Sequence, residues 1–211
     1  MKAAILLCVA AFATGAAWAG MDEDVARLRQ EWERIKYQLP AKEQETEFEK
    51  LAKASEKVAG QYPRQAEPAI WHGIIEASYA GAKGGLGALS LAKSARKSLE
   101  SAIAIDPTAL DGSAYTSLGS LYYQVPGWPL GFGDDAKARE LLQKGLALNP
   151  NGIDPNYFYG DFLFRSGDYA GAEQALRKAL QAPPREGRRI ADEGRRREVN
   201  DLLEKVRDKK R

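Results

Sequence analysis

Residues 156–184 read NYFYGDFLFRSGDYAGAEQALRKALQAPP, and the fold of the chain follows from this stretch. Apolar residues recur three and four positions apart on both sides of Gly167, which is the period of amphipathic helices. Gly160 and Ala172 place small side chains on the two helices, so that the helices can approach closely. Pro184 then ends the second helix at a position where no backbone hydrogen bond is lost. The stretch predicts a tight hairpin of two antiparallel helices.

The same pattern occurs in two earlier units of the chain. The unit before it has Tyr115 and Leu118-Gly119 in its first helix, and the unit before that has Trp71 in place of Tyr115 and Ile74 in place of Leu118. Their second helices carry a small residue, a leucine and a closing proline at the same spacing, namely Ala138, Leu142 and Pro150, and Ala95, Leu99 and Pro107. A single hairpin cannot bury its apolar face alone, so successive units are expected to stack.

These spacings resemble the tetratricopeptide-repeat superfamily. The resemblance implies an all-α solenoid of antiparallel helical hairpins over residues 67–188, with units at about 68–108, 112–151 and 153–186. Residues 20–66 match the pattern poorly and predict an N-terminal helical pair, which is either a degenerate repeat or a cap.

The C-terminal end, residues 189–211, is predicted to be a basic capping helix with a short tail. Residues 185–211 hold eleven basic and seven acidic residues. Because Glu193, Glu198 and Glu204 interleave with the arginines, the charges favour an ion-paired polar cap, which a solenoid needs, and not a nucleic-acid surface. Anionic lipid or an acidic partner is the alternative.

Residues 1–19 have the order of a secretory signal peptide. Lys2 precedes the apolar run Ala3–Ala13, and Ala17-Trp18-Ala19 offers a cleavage site before Gly20. The run is shorter than the roughly 20 residues that span a bilayer. We therefore expect a cut between Ala19 and Gly20 and a periplasmic or secreted mature chain without a transmembrane segment. Cys8 is the only cysteine, so such a chain has no thiol.

The two earlier units carry inserts between their helices. Aligned on the repeat pattern, the first unit has eight extra residues centred on Gly81–Gly87, and the second has seven within 126–135. Both inserts are predicted as loops at one edge of the array. Trp128 and Phe132 in the second insert either fold back as a plug against the neighbouring insert or present an interaction edge.

The second insert, the start of the helix after it and the Asn149-Pro150 ending support a further resemblance. The helix start is Gly133, Asp134, Lys137 and Ala138, where an aspartate is also suited to cap the helix. Together these motifs are similar to the periplasmic T component associated with TRAP-type solute transporters. That resemblance implies an accessory of solute uptake that binds a small apolar or anionic molecule.

In tetratricopeptide repeats the first helix of each unit lines a concave groove. Residues one, five and eight positions after the start of each pattern are predicted to point into it. The predicted groove residues, including two neighbours, are His72, Glu76, Tyr79, Thr116, Ser120, Tyr123, Gln124, Tyr157, Asp161, Phe164 and Arg165. The mixture of aromatic and hydrogen-bonding groups is typical of peptide or small-ligand grooves. An ordinary surface covered by the N-terminal helices is the alternative.

The sequence offers little for catalysis. His72 is the only histidine, which disfavours zinc sites and nucleophile–histidine pairs. Lys93-Ser94 follows alanine, not the glycine that a phosphate-binding loop requires. Glu76 and Asp161 remain as a conceivable carboxylate pair. We expect no catalytic residue, metal or cofactor, and predict a non-enzymatic exported scaffold that binds a peptide or protein partner in the envelope and no nucleic acid. The alternative is the ligand-binding transport accessory.

Overall fold

A computed structural model describes the backbone of residues 12–211 and the side chains of residues 20–85 and 87–211. Within this range the chain forms nine helices and no strand. The helices are α1 Phe12–Gln38, α2 Ala41–Gln61, α3 Ala66–Lys83, α4 Gly85–Ile105, α5 Ala109–Gln124, α6 Asp135–Leu148, α7 Ile153–Arg165, α8 Tyr169–Leu180 and α9 Arg189–Lys210. The predicted all-α hairpin architecture is confirmed. The signal prediction falls mainly on residues 1–11, outside the described residues, and no helix described is long and apolar enough to cross a membrane.

Each of the three predicted units is a hairpin with one tight glycine contact. A methyl group on Gly160 would lie 2.8 Å from Leu176 Cγ, and one on Gly119 would lie 2.8 Å from Leu142 Cγ. In the first unit the equivalent contact joins Gly73 to Leu99, where a methyl group would lie 2.7 Å from Leu99 Cγ. Helices therefore pack at distances that only glycine permits, and the three units share one geometry.

Gly73 shows that the sequence alignment of the first unit was wrong by two residues. Between the paired residues the chain advances 26 positions from Gly73 to Leu99, and 16 from Gly160 to Leu176. The first unit therefore has ten more residues than the last unit between its contact glycine and its contact leucine, and not eight. The insert is also not a loop, because α3 continues to Lys83 and α4 begins at Gly85. Gly84 and Gly85, at φ 62° and 60°, make the turn.

The inner helices close into a ring. α1, α3, α5, α7 and α9 contact one another in that order, and α9 also contacts α1. Gly194 of α9 packs directly on the ring of Tyr37, whose hydroxyl donates to Glu198 Oε2 at 3.3 Å. Arg188 forms an ion pair with Glu33 of α1. The concave face predicted as a groove is therefore the inner face of a closed ring, with α1 and α9 in contact.

The C-terminal helix closes the ring because it has two different faces. Val199, Leu202 and Val206 pack into the apolar cluster of the last unit, while Ala191 packs into the cluster of α1 to α3. The helix thus covers the end of the solenoid, as the capping prediction has it. It also joins the two ends of the array, which the sequence did not indicate.

Candidate binding site

The interior of the ring contains two cavities that adjoin at four shared lining residues, here called the waist. One has a volume of about 260 Å³ and the other of about 650 Å³. Both are lined by Trp32, Ser78, Phe158 and Arg195. These residues come from α1, α3, α7 and α9, so the waist exists only because the ring is closed.

Equivalent positions of the three units line equivalent parts of the interior. The residues two positions before the contact glycine line the smaller cavity, and they are Trp71, Ser117 and Phe158. The residues five positions after it line the larger cavity, and they are Ser78, Gln124 and Arg165. The position of the contact glycine in each first helix is therefore the sequence signal that identifies inward-facing residues.

The smaller cavity has aromatic walls. Trp32 and Trp71 meet edge to face, with ring centroids 6.0 Å apart, and Trp32 Nε1 donates to Ser78 Oγ at 2.8 Å. Arg188 lies 5.4 Å from the centroid of Trp71, and Arg195 lies 4.7 Å from that of Phe158. Aromatic faces attract guanidinium groups, so the walls also hold the arginines in place.

Three arginines and their acids surround the smaller cavity. Asp154 Oδ2 accepts from Arg185 Nη1 at 2.7 Å, and its Oδ1 accepts from Arg195 Nε at 2.7 Å. Burial alone would raise the pKa of Asp154, but the charges of Arg195 and Arg185 outweigh it and hold that pKa well below its usual range. Burial, together with the nearby charge of Arg185, lowers the pKa of Arg188. This network ties α7, the segment before α9, and α9 to one another.

The larger cavity mixes apolar, amide and charged groups. Phe48, Tyr157 and Leu202 form its apolar part, and burial raises the pKa of Tyr157 to about 12, so its hydroxyl stays protonated at neutral pH. The polar lining residues include Lys36, Gln44, Gln124, Asp161, Arg165, Glu198, Asp201 and Lys205. Both signs of charge are present, so the cavity is suited to a ligand with alternating polar groups.

Of the predicted groove residues in the second and third units, some line the interior and others pack elsewhere. Gln124, Tyr157, Asp161 and Arg165 line the larger cavity, and Thr116 lines the smaller one. Three further predicted residues have partners within the fold. Tyr123 donates to Asp161 at 2.8 Å, Ser120 donates to the Ser117 carbonyl oxygen at 2.8 Å, and Phe164 packs on Tyr169.

The predicted groove residues of the first unit do not line either cavity. His72 Nδ1 lies 2.9 Å from Ser55 Oγ of α2, and His72 Nε2 lies 3.5 Å from Glu76. Tyr79 is buried in the cluster that α2 forms with α1 and α3. The two-residue error in the alignment explains this, because Ile74 and Ala77, two positions before Glu76 and Tyr79, line the cavities instead.

The conceivable carboxylate pair has two separate environments. Glu76 faces His72, and burial raises its pKa, while one of its oxygens has no partner among the described residues. Asp161 instead pairs with Tyr123 and with Arg165 at 3.1 Å. In the part of the chain described, no group of three or more histidine, cysteine, aspartate or glutamate residues is placed to hold a metal ion.

The two aromatic residues of the second insert lie in different environments. Phe132 folds back on Tyr122, with centroids 5.4 Å apart, and Arg96 lies 4.7 Å from its ring. Trp128 is 90% exposed. Asp134 accepts from the Lys137 amide at 2.9 Å, so it caps α6 as expected. Phe132 therefore packs on α5 and α4 and not on the neighbouring insert, while Trp128 is presented to solvent.

Sequence reasoning missed Trp32 of α1 and Arg185, Arg188 and Arg195 near α9. These four residues line the smaller cavity, and Trp32 and Arg195 form its waist with the larger one. Trp32 precedes the three arginines by more than 150 positions, so only the meeting of the two ends of the chain brings them together. No local spacing could have indicated this.

The fold and its enclosed inner face define the class of helical-repeat scaffolds. Residues 130–192 match the family model described as Tetratricopeptide repeat. A tetratricopeptide-repeat protein of Thermus thermophilus, TTC0263, has a similar structure, with a TM-score of 0.57 at 15% identity, covering 92% of each chain. The chain therefore carries tetratricopeptide-repeat sequence over residues 130–192 and has the fold of a tetratricopeptide-repeat protein over nearly all of its length.

Two further solved structures are similar at lower scores. The MamA structure has a TM-score of 0.46 at 22% identity, covering 78% of this chain and 90% of that one. The Pseudomonas aeruginosa pilF structure has a TM-score of 0.37 at 17% identity, covering 89% and 90%. No curated protein matches the chain.

Proposed function

We propose that the chain is a non-enzymatic scaffold that binds a short segment of a partner protein in the larger cavity of the ring. A helical-repeat scaffold of this fold has a protein-interaction role. The observation that carries the proposal is the lining of the 650 Å³ cavity, where aromatic, amide, acidic and basic side chains occur together. Its volume lies within the usual range for ligand-binding cavities.

The closed ring limits how a partner can enter. Trp32, Ser78, Phe158 and Arg195 line both cavities, so their side chains lie where the two cavities adjoin. A free end or a short extended segment can enter the larger cavity from its open side. There Gln124 offers amide groups to the peptide backbone, Phe48 and Leu202 offer apolar contact, and charged residues lie around them.

The experiment is a selection of random peptides on the immobilised chain, followed by calorimetric titration of the selected peptides. Asp201→Lys changes an exposed residue that lines the larger cavity, and Asp208→Lys makes the same change on the same helix outside it. We expect Asp201→Lys to change affinity at least about tenfold, and Asp208→Lys to change it little. Equal responses of the two variants would place the peptides elsewhere and contradict the proposal.

A small-molecule ligand is the second candidate, favoured by the aromatic and arginine-lined smaller cavity of 260 Å³. The resemblance to the T component of TRAP-type transporters points in the same direction, as does the envelope location that residues 1–19 predict. Native mass spectrometry of Gly20–Arg211 purified from its own envelope separates the candidates. A mass a few hundred daltons above the polypeptide, lost on denaturation, supports the small ligand. A clean mass, or one with a second protein, supports the peptide scaffold.

A further inference from the structure

A second surface, on the edge where the helices of the first two units turn, has an apolar groove with a volume of about 340 Å³. The groove lies between the end of α3, the start of α4, the end of α5 and the second insert, and Ala77, Gly81 and Gln124 line both this groove and the larger cavity. Small residues form most of its floor, and no charged side chain among the described residues lines it. Its lining residues include Ala77, Ala80, Gly81, Gly85, Ala88, Ala92, Val125 and Leu130.

Beside this groove the second insert presents two large apolar side chains to solvent. Trp128 is 90% exposed and Leu130 is 72% exposed. The insert is held in place on both sides, because the Gly133 amide donates to the Pro126 carbonyl oxygen and the Asp134 amide donates to that of Tyr122, both at 2.9 Å. The fold therefore holds Trp128 in water next to an apolar groove that it does not itself line.

Charged residues of both signs lie in the segments that adjoin the groove residues. Lys93 and Lys97 follow Leu89, a groove residue, by one and two turns of α4. Asp134 and Asp135 follow the exposed part of the insert. All four side chains are largely or partly exposed, and none has an oppositely charged partner within 4.0 Å among the described residues.

We propose that this edge is a self-association interface in which a second copy of the chain is the occupant. A two-fold axis beside the insert places Trp128 of each copy in the groove of the other, against the groove residue Leu130. The same axis brings Asp135 of one copy toward Lys93 and Lys97 of its mate. The interface is self-complementary because the projecting residues, the groove and both charged groups lie on one edge of a single chain.

The area involved fits a weak dimer. A tryptophan buries roughly 150 to 250 Å² on its own. Two tryptophans, two leucines and two grooves together bury on the order of 1,000 Å², which is near the lower limit for a specific interface. We therefore expect a dissociation constant in the micromolar range, with monomers at high dilution.

Sedimentation velocity of the purified chain over a series of concentrations tests the proposal. We expect a single monomer–dimer equilibrium. Trp128→Ser should raise the dissociation constant by at least about 30-fold, because a central tryptophan is lost twice in a symmetric dimer. Ile105→Ser is the matched control, since Ile105 is also an exposed apolar residue, at 41%, but lies at the far end of α4. This control should leave the equilibrium unchanged.

A charge exchange provides a test that does not depend on the apolar contacts. Lys93→Glu and Asp135→Lys should each weaken the dimer, and the double variant should restore it. Circular dichroism establishes that every variant remains folded. A chain that stays monomeric at the highest concentration, a dimer that Trp128→Ser does not weaken, or open-ended polymers in place of dimers would each overturn the proposal.

Discussion

Replacing Asp154 with asparagine should destabilise the closed ring substantially. The carboxylate of Asp154 bridges Arg185 and Arg195, each at 2.7 Å, and 30% of its side chain is exposed to the cavity. Removing one partner of a well-buried ion pair typically costs about 3 to 5 kcal/mol. Arg185 keeps Asp192, and Arg195 keeps Glu198, so we expect a smaller loss, about 2 to 3 kcal/mol of unfolding free energy.

The assay is urea and thermal unfolding followed by circular dichroism. For a chain of this length a loss of this size lowers the melting temperature by about 5 to 10 °C. Asp208→Asn is the matched control, because Asp208 pairs with Arg211 at 3.7 Å on the exposed end of α9 and should contribute less than about 1 kcal/mol. If Asp154→Asn costs no more than this control, the network does not hold the ring together and the reasoning is refuted.

The effect of Asp154 should also depend on pH. The charges of Arg195 and Arg185 hold the folded pKa of Asp154 below its unfolded value of about 3.9. A lowered pKa means that the stabilisation is fully present above the unfolded pKa and is lost as pH falls through the folded pKa. The stability difference between the wild type and Asp154→Asn should therefore be constant near neutral pH and shrink progressively below about pH 4.

Three other substitutions test separate parts of the fold by chemical denaturation. Gly160→Ala should cost about 1 to 3 kcal/mol, because the new methyl group would meet Leu176 Cγ at 2.8 Å, and a cost near zero would show that the helices can move apart. Asp111→Gly should stabilise the chain by about 1 kcal/mol, because Asp111 has φ 53° at the kinked start of α5, and a loss would argue against strain there. Glu76→Gln should be neutral or stabilising at pH 7, because burial raises the pKa of Glu76 and a carboxyl group with a raised pKa costs stability above its unfolded pKa. The advantage of the variant should vanish below about pH 4. A clear loss of stability at pH 7 would contradict this reasoning.

The repeat pattern predicted the hairpins well because it reflects contacts within one unit. Gly160 was expected to let the two helices approach, and Gly160 and Gly119 lie against Leu176 and Leu142 of the second helices. The alignment of the first unit was wrong because its insert extends both helices, so that helical spacing continues through the insert. The contact between Gly73 and Leu99 shows the register of this unit.

The candidate site was predicted best where the alignment was sound. Tyr157, Asp161 and Arg165 of the last unit line the larger cavity, whereas His72 and Glu76 of the first unit pack among α2 to α4. An error of two residues turns a helix face by more than half a turn. The predicted groove residues that line the cavities therefore come only from helices whose register was assigned correctly.

Local sequence determined the helices, their pairing and their small contact residues, because these depend on interactions between residues close in the chain. Only the tertiary structure decided that the array closes on itself. Closure depends on Gly194 against Tyr37 and on Arg188 with Glu33, contacts that join the two ends of the chain. These contacts become favourable only after the units have stacked, because stacking removes water from the contacting groups and fixes their relative positions. The sequence therefore predicts the stacked helical hairpins, and the tertiary structure shows that they close into a ring around an interior with cavities.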